Sequence, residues 1–449
     1  MPNKTHIYTL LLALFCCTAS VAQTTADTTR VNLDNLGVVK DNSAINYDKP
    51  HNALNPEYIS DKDSIQFEIP ESMMLDIDSL MNSWQSRNLL QVNDCENFYE
   101  PQPVSDSIYA DRLDRLPTIV NMTYNDVTKQ FIERYANRHR RLVANMLGLS
   151  SYYMPMIEST LDSYNMPLEL KYLPIIESAL NPRATSRVGA KGLWQFMFRT
   201  SKYYGLKTNN YIDERFDPQK STQAAVRYLR DLYKFFQSWD LAIAAYNCGP
   251  GNVKKAIIRS GGKTDFWQIY RYLPRETRGY IPAFIAANYI MTYYEEHGIC
   301  PMQSTLPIAN DTIHINKNLH FTQVSELCGI EMDAIRAMNP QYIKDIVPGK
   351  SETCILRLPN ETITTLLNLG DTIYTHKEEL FFSKSQTEQL EKGIKLNDGG
   401  RSTAKRHKVR SGETLSQIAR KYGVSVQQLK RANGLKNNNI RAGRYLNIY

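Results

Sequence analysis

The sequence predicts a mainly α protein, with one long helical domain followed by two small βααβ modules. From about residue 116 to 300, apolar residues recur at helical spacing and prolines mark the expected helix boundaries. After Cys300 a shorter pattern occurs twice, and Asn339 of the first copy corresponds to Asn433 of the second. A chain of 449 residues is too long for a single core, so several domains are expected.

The first 22 residues have the pattern of a secretory signal peptide. Lys4 precedes an apolar run, Ile7–Cys17, and Ser20-Val21-Ala22 provides small residues where a signal peptidase cleaves. A buried N-terminal helix is the alternative. We therefore predict a protein exported to the periplasm or cell envelope.

A lipid anchor is the alternative to a soluble exported form. Cys16 and Cys17 could carry a lipid, but bulky Phe15 or Cys16 stands where a lipoprotein signal needs a small residue. The sequence therefore favours a soluble protein, and a peripheral or outer-membrane association stays open. No later stretch has the roughly 18 apolar residues that a membrane helix needs.

The net charge of +7 is unevenly distributed. Residues 23–115 contain 17 Asp and Glu against 7 Lys and Arg, and we interpret them as an acidic, partly disordered N-terminal arm. Residues 401–449 contain 12 Lys and Arg and a single acidic residue, Glu413. Because an exported protein rarely meets nucleic acid, this basic end favours an anionic envelope surface over nucleic acid.

Five cysteines remain after the signal sequence, an odd number at irregular spacing. This pattern predicts neither a metal site nor a disulfide scaffold. A Cys328–Cys354 pair stays open, because geometry would have to decide it.

The second copy of the repeat, residues 405–449, predicts strand, helix, helix and strand. Thr414 to Gln417 forms a capping box at the start of the first helix. The unit resembles the LysM module, whose pattern appears here as Gly412-Glu413-Thr414-Leu415, Ile418-Ala419 and Leu429…Asn433. The first copy, residues 305–359, has Asn318-Leu319-His320-Phe321 at the start and is interpreted as a degenerate LysM-like module. Residues 360–404 are expected to be a linker.

Glu177 is the candidate catalytic residue within the helical block. It lies on the same helical stripe as Leu173, Ile176 and Leu180, where partial desolvation would raise its pKa and keep it protonated. Such an acid can protonate a glycosidic oxygen. The alternative is a paired carboxylate at the edge of the core, and Glu158 has the same local pattern, so helix position alone does not separate the two.

Four sequence blocks around and after Glu177 separate it from Glu158. The blocks are Glu177-Ser178, Ser186–Met197, Ala245–Val253 and Glu276–Pro282. In this order they resemble lytic transglycosylases of the goose-lysozyme-like superfamily, most closely the membrane-bound lytic murein transglycosylase D family. The resemblance covers 116–300, and the LysM-type end agrees with it.

The resemblance implies a lysozyme-like helical fold, with 116–300 as the lytic transglycosylase domain and Glu177 as the sole catalytic carboxylate. It also implies six substrate-binding residues and no cofactor or metal. Trp194 replaces the methionine of the family's usual G-L-M-Q loop, and we expect it to keep an apolar wall of altered shape. The six residues are Ser178, Gln195, Phe196, Tyr246, Asn247 and Tyr280.

The implied reaction is cleavage of peptidoglycan glycan strands between N-acetylmuramoyl and N-acetylglucosaminyl units. Residues 178–212 and 241–264 contain no Asp or Glu, which favours one acid over the usual carboxylate pair. Asp213, Glu214, Asp217 and Asp240 stay open as second acids. Two alternatives remain: a hydrolytic, lysozyme-like muramidase and a non-catalytic wall-binding scaffold.

Overall fold

The computed structural model describes residues 67–70, 90–93, 95, 103–395, 405–422, 426–433, 435 and 437–448. They all fall within one unit of the chain, Ala53–Tyr449. The predicted signal peptide and most of the predicted arm lie outside the described residues. The mainly α class is confirmed, and the helices precede two small modules that contain strands.

A buried helix, α10 (Arg275–Thr292), lies at the centre of the helical domain. Nearly every residue from Thr277 to Met291 is buried, as expected for a helix that is apolar on all sides. Four helices pack against it. These are α2 (Asp126–Glu133), α3 (Arg140–Ser163), α4 (Leu173–Ser178) and α7 (Trp239–Cys248).

The remaining helices of this domain surround that centre. Most begin at a proline or behind a side-chain cap, as at Pro218, where Asp217 accepts from two backbone N–H groups. They are α1 (Asp106–Asp114), α5 (Phe198–Tyr203), α6 (Pro218–Phe236), α8 (Pro250–Arg259) and α9 (Phe266–Ile269), with short 3₁₀ segments at Leu168–Tyr172, Tyr270–Tyr272 and Glu295–His297.

The described parts of the acidic arm pack on the helical domain. Tyr109 and Leu113 of α1 are buried in its core. Strand β1 (Leu90–Gln91) pairs antiparallel with β2 (Gln303–Ser304). The arm therefore contributes ordered structure in these stretches, which its polar composition did not predict.

A disulfide joins Cys95 to Cys300, 205 residues apart in sequence. The sequence pattern, which predicted no disulfide scaffold, did not indicate this pair. The open alternative, a Cys328–Cys354 pair, is wrong because both thiols are free. Spacing could not show the true pair, since folding alone brings such distant residues together.

The second copy has the predicted βααβ order, and the first has an additional strand on each side of its two helices. The second copy pairs β7 (Lys405–Lys408) with β8 (Tyr445–Ile448) around two helices, and its predicted capping box is present, with Thr414 and Gln417 bonded at 3.0 and 3.3 Å. The helices are α17 (Leu415–Tyr422) and α18 (Val426–Ala432).

The first copy keeps the same design despite its altered start. His320 and Gln323 form the capping box in place of Thr414 and Gln417. Asn339 and Asn433, the paired positions of the repeat, both donate to the carbonyl four residues earlier. Its elements are β3 (Asn310–Ile315), β4 (Asn318–His320), α11 (Phe321–Cys328), α12 (Met332–Met338), β5 (Ile346–Pro348) and β6 (Cys354–Pro359), with β3 paired to β6 and β4 to β5.

Helices occupy most of the predicted linker, which corrects that prediction. Leu366, Ile373 and Leu390 are buried in the same core as the first module, so apolar packing holds the segment against it. Its polar composition concealed these few apolar anchors. The helices are α13 (Asn360–Leu369), α14 (Thr372–Thr375), α15 (Glu378–Phe381) and α16 (Lys384–Lys395).

The first module contacts the helical domain directly. The Asp213 N–H donates to the Gln341 carbonyl at 2.9 Å, and the Ile343 N–H donates to the Tyr211 carbonyl at the same distance. The Tyr211 side chain is buried in the module's core. In the part of the chain described above, no helix is both long and apolar enough to cross a bilayer.

Candidate active site

Glu177 lies in the last turn of α4, where the chain reverses sharply. Ala179 and Leu180, which follow the helix, both have left-handed backbone angles, with φ of 51° and 60°. This conformation costs a residue with a side chain on the order of 1 kcal/mol or more, and it occurs often at functional sites. The reversal leaves the Glu177 side chain at the helix end, facing a cleft.

The Tyr280 hydroxyl donates a hydrogen bond to Glu177 Oε1. Burial raises the pKa of Glu177 to about 8, against an opposing effect of the Tyr280 bond and with a further rise from the charge of Glu276. Burial and the neighbouring Glu177 also raise the pKa of Tyr280 well above its ordinary value, so Tyr280 stays a donor. The Glu177 carboxyl is therefore protonated near neutral pH.

The loop after α4 is held by backbone contacts around Gly192. Gly192 has φ of 84°, and a Cβ there would lie 1.8 Å from the Arg215 carbonyl oxygen, so only glycine fits. Gln195 has φ of 46°, and its side-chain amide donates to the Gly192 carbonyl at 2.8 Å. Gln195 and Phe196 both line the cleft.

Two residues expected near the substrate lie outside the cleft. The buried Ser178 hydroxyl donates to the Leu193 carbonyl at 2.9 Å and thereby joins α4 to the loop. Trp194 is fully buried and donates to Thr222 Oγ1 at 2.8 Å, so it forms core and not the expected apolar wall. Both side chains shape the cleft from behind it, which sequence order alone could not reveal.

Tyr246 and Asn247, at the end of α7, also line the cleft. The Tyr246 hydroxyl donates to the Trp194 carbonyl at 2.7 Å, and the Tyr246 ring meets Phe196 edge to face at 6.5 Å. Asn247 Oδ1 accepts from Thr277 Oγ1 at 2.8 Å, which leaves its amide N–H groups for other partners. The structure thus brings together Glu177, Gln195, Phe196, Tyr246, Asn247 and Tyr280.

The cleft has a volume of about 380 Å³. The lining residues that were not among the predicted ones include Pro70, Tyr228 and Glu276. Glu276 stood within the fourth sequence block, and its carboxylate was overlooked there. No sequence signal pointed to Pro70 or Tyr228, because both reach the cleft only through the tertiary fold.

The other carboxylates considered as second acids lie away from the cleft. Asp213 pairs with Arg215 at 2.7 Å, and although burial opposes it, that partner together with Lys191 lowers the pKa of Asp213. Glu214 pairs with Lys220, and Asp217 caps α6. Asp240 has no place in the cleft lining either, and burial raises its pKa to about 7.

Sequence comparison places this chain in a known family. The chain is 30% identical over 329 residues to membrane-bound lytic murein transglycosylase D of Escherichia coli strain K12, covering 72% of this chain and 69% of that protein. The chain belongs to the membrane-bound lytic murein transglycosylase D family. Among the described residues, no group of His, Cys, Asp and Glu is arranged to bind a metal ion.

Family models match three parts of this transglycosylase D family member. The transglycosylase SLT domain matches residues 154–269, the LysM-like domain of lytic transglycosylase MltD matches 309–375, and the LysM domain matches 407–448. The middle match extends past the predicted end of the first module, into the helices that follow it.

Two more distant similarities concern soluble enzymes. The chain is 32% identical over 124 residues to the soluble lytic murein transglycosylase of Escherichia coli strain K12, covering 26% of this chain and 19% of that protein. The solved structure of the 70 kDa soluble lytic transglycosylase Slt70 from Escherichia coli matches with 21% identity and a TM-score of 0.29, over 42% of this chain and 33% of that one. So low a TM-score adds nothing to the family assignment.

Proposed function

We propose that this protein is a peptidoglycan lytic transglycosylase. It cleaves the β-1,4 bond between N-acetylmuramic acid and N-acetylglucosamine and leaves a 1,6-anhydro-N-acetylmuramoyl end. The observation that carries this proposal concerns the Glu177 carboxyl. It faces the cleft, its pKa is raised to about 8, and it accepts a hydrogen bond from Tyr280.

Glu177 acts first as an acid and then as a base. Protonated near neutral pH, it donates its proton to the glycosidic oxygen as the bond breaks. The substrate's own acetamido group stabilises the cationic sugar centre. The Glu177 carboxylate then takes the proton of the C6 hydroxyl, whose oxygen closes the 1,6-anhydro ring.

Tyr280 positions Glu177 throughout this cycle, since its hydroxyl is the side-chain partner of the carboxyl. Gln195, Phe196, Tyr246 and Asn247 bind the sugar units, which their place in the cleft lining supports. Ser178 acts indirectly by fixing the Gln195 loop to α4.

The nature of the product tests the proposal. Purified sacculi are incubated with the protein, and the released muropeptides are identified by mass spectrometry. We expect anhydro-N-acetylmuramoyl ends. Reducing ends in their place would contradict the proposal and support the hydrolytic muramidase.

Glu276 provides a second test, because among the described residues it is the other carboxylate that lines the cleft. A two-carboxylate glycosidase would need it for catalysis. In the single-acid reaction, Glu276→Gln retains most activity and lowers the pKa of Glu177 by removing a neighbouring negative charge. A loss as large as that of Glu177→Gln would refute the single-acid reaction.

The LysM-type module at 405–449 is proposed to hold the enzyme on the cell wall, within the envelope. Its resemblance to wall-binding modules and the basic charge of this end support that role. Deleting 401–449 should weaken sacculus binding more than it slows the cleavage of soluble fragments. Glu177→Gln should bind sacculi normally, and undiminished cleavage by that variant would refute the assignment of Glu177 as the catalytic acid.

A further inference from the structure

The segment Phe67–Pro70 of the N-terminal arm reaches the cleft of the helical domain. Pro70 is buried and lines the cleft together with Glu177, Glu276 and Tyr280. None of the sequence blocks or family matches includes this segment. Its position is therefore a feature that the activity described above does not explain.

Three contacts fix the segment against the helical domain. The Phe67 ring packs on the buried Phe131 ring of α2, with centroids 4.9 Å apart. The Glu68 N–H donates to the Arg275 carbonyl at 3.0 Å, at the start of α10. The Glu68 carbonyl lies so close to Gly279 that a Cβ there would be 2.3 Å from its oxygen.

Gly279 explains why the segment can lie so near the reacting groups. It precedes Tyr280 on α10 and has a helical backbone. The position therefore needs glycine because a side chain would not fit, and not because of an unusual backbone angle. Without that gap the segment would be pushed away from α10. The glycine of the fourth sequence block therefore has a physical role, the close approach of another backbone.

We propose that Phe67–Pro70 forms one wall of the glycan-binding cleft and that Pro70 is a substrate-contacting residue that sets how tightly a strand binds. This inference rests on the proposed function, since it concerns binding of the same substrate. A proline suits the role because its rigid ring loses little conformational freedom when a ligand packs against it. Its apolar surface complements the C–H faces of sugar rings.

The test measures KM and kcat on soluble, peptide-free glycan fragments, with the anhydro product quantified by mass spectrometry. Pro70→Ala should raise KM roughly tenfold, the scale of a lost apolar contact in a pocket, with kcat changed less than twofold. Gly279→Ala should raise KM similarly, because its new Cβ displaces Glu68. Since both changes remove the same contact, the double variant should show no further rise.

Gly148→Ala is the matched control. A Cβ at Gly148 would lie 2.5 Å from the Met302 carbonyl oxygen, an equally tight backbone approach outside the cleft lining. Its KM should equal that of the wild type, and thermal melting checks that each variant is folded. If Gly279→Ala does not fold, Pro70→Ala alone decides the question.

A KM for folded Pro70→Ala within twofold of the wild type would overturn the inference, provided that wild type cleaves and Glu177→Gln does not. If the wild type releases no anhydro product, the proposed function itself fails. The two failures are thus distinguishable. Additive effects in the double variant would show that Gly279→Ala acts through Tyr280 and not through the wall.

Discussion

Two glutamates of the helical domain share a local sequence but differ in environment. Glu158 and Glu177 each stand between an isoleucine and a serine on an apolar helical stripe. Glu158 lies inside α3, its side chain is 40% exposed, and it pairs with Lys171 at 2.5 Å. Glu177 lies at the end of α4, faces the cleft and accepts a bond from the neutral Tyr280 hydroxyl.

The comparison shows that the chemistry of each carboxyl depends on its bonding partner and on whether it lies inside a helix or at a helix end. Glu158 has a lysine as its ion-pair partner. The cleft lining around Glu177, which consists of described residues, includes no lysine or arginine that could pair with it in the same way. Burial then has no opposing cation, and the pKa of Glu177 rises to about 8.

The largest expected effect is on catalysis. Glu177→Gln removes the proton that the leaving oxygen needs, so cleavage of sacculi should fall by about a thousandfold or more. Glu158→Gln should retain activity within twofold, because its lysine pair has no access to the cleft. Turnover by muropeptide release measures both, and equal losses would show that the two positions are not distinct in function.

The second effect is on the pH dependence of stability. The pKa of Glu177 is 4.5 in the unfolded chain and about 8 in the folded one. Its contribution to the free energy of unfolding is therefore complete below pH 4.5 and is lost as the pH rises to about 8. Glutamine cannot ionise, so Glu177→Gln should gain stability relative to the wild type over this interval, by up to a few kcal/mol.

Urea unfolding at pH 4.5 and pH 8 measures this gain, and Glu158→Gln is the control. The stability difference between Glu158→Gln and the wild type should change little between the two pH values. If the free energy of unfolding of Glu177→Gln relative to the wild type does not change with pH, the Glu177 carboxyl ionises normally in the folded protein.

The third effect concerns the Tyr280 bond. Tyr280→Phe should reduce kcat roughly ten- to hundredfold, because the carboxyl loses its positioning partner. The bond lowers the pKa of Glu177, so its loss should move the alkaline limb of the pH–activity profile to higher pH. A limb that moved to lower pH would contradict this account of the site.

Local periodicity indicated the helical domain and both modules, and the family resemblance implied six residues that line the cleft, Glu177, Gln195, Phe196, Tyr246, Asn247 and Tyr280. Sequence reasoning could not separate a residue that faces the substrate from one that supports the loop behind it. Ser178 and Trp194 belong to motif blocks, yet their side chains bond to the loop backbone and to Thr222. Only the tertiary fold determines which way they point.

Long-range contacts account for the remaining differences between the sequence prediction and the structure. The Cys95–Cys300 disulfide, the Pro70 contribution to the cleft and the helices at 360–395 all depend on residues distant in sequence or on a few apolar anchors. Polar composition predicted an arm and a linker in these places. It did not reveal that single residues such as Leu90, Leu366 and Leu390 would be buried against neighbouring elements.

The smallest expected effect is that of the exposed ion pair itself. Glu158→Gln removes the attraction to Lys171, but both groups are partly in water, so the free energy of unfolding should fall by less than about 1 kcal/mol. The loss should shrink further in 1 M salt, because ions screen the pair. Urea unfolding at low and high salt measures both values. A loss of several kcal/mol that salt leaves unchanged would mean that the Glu158–Lys171 pair behaves like a buried ion pair. The difference between Glu158 and Glu177 would then depend on Tyr280 and the cleft alone.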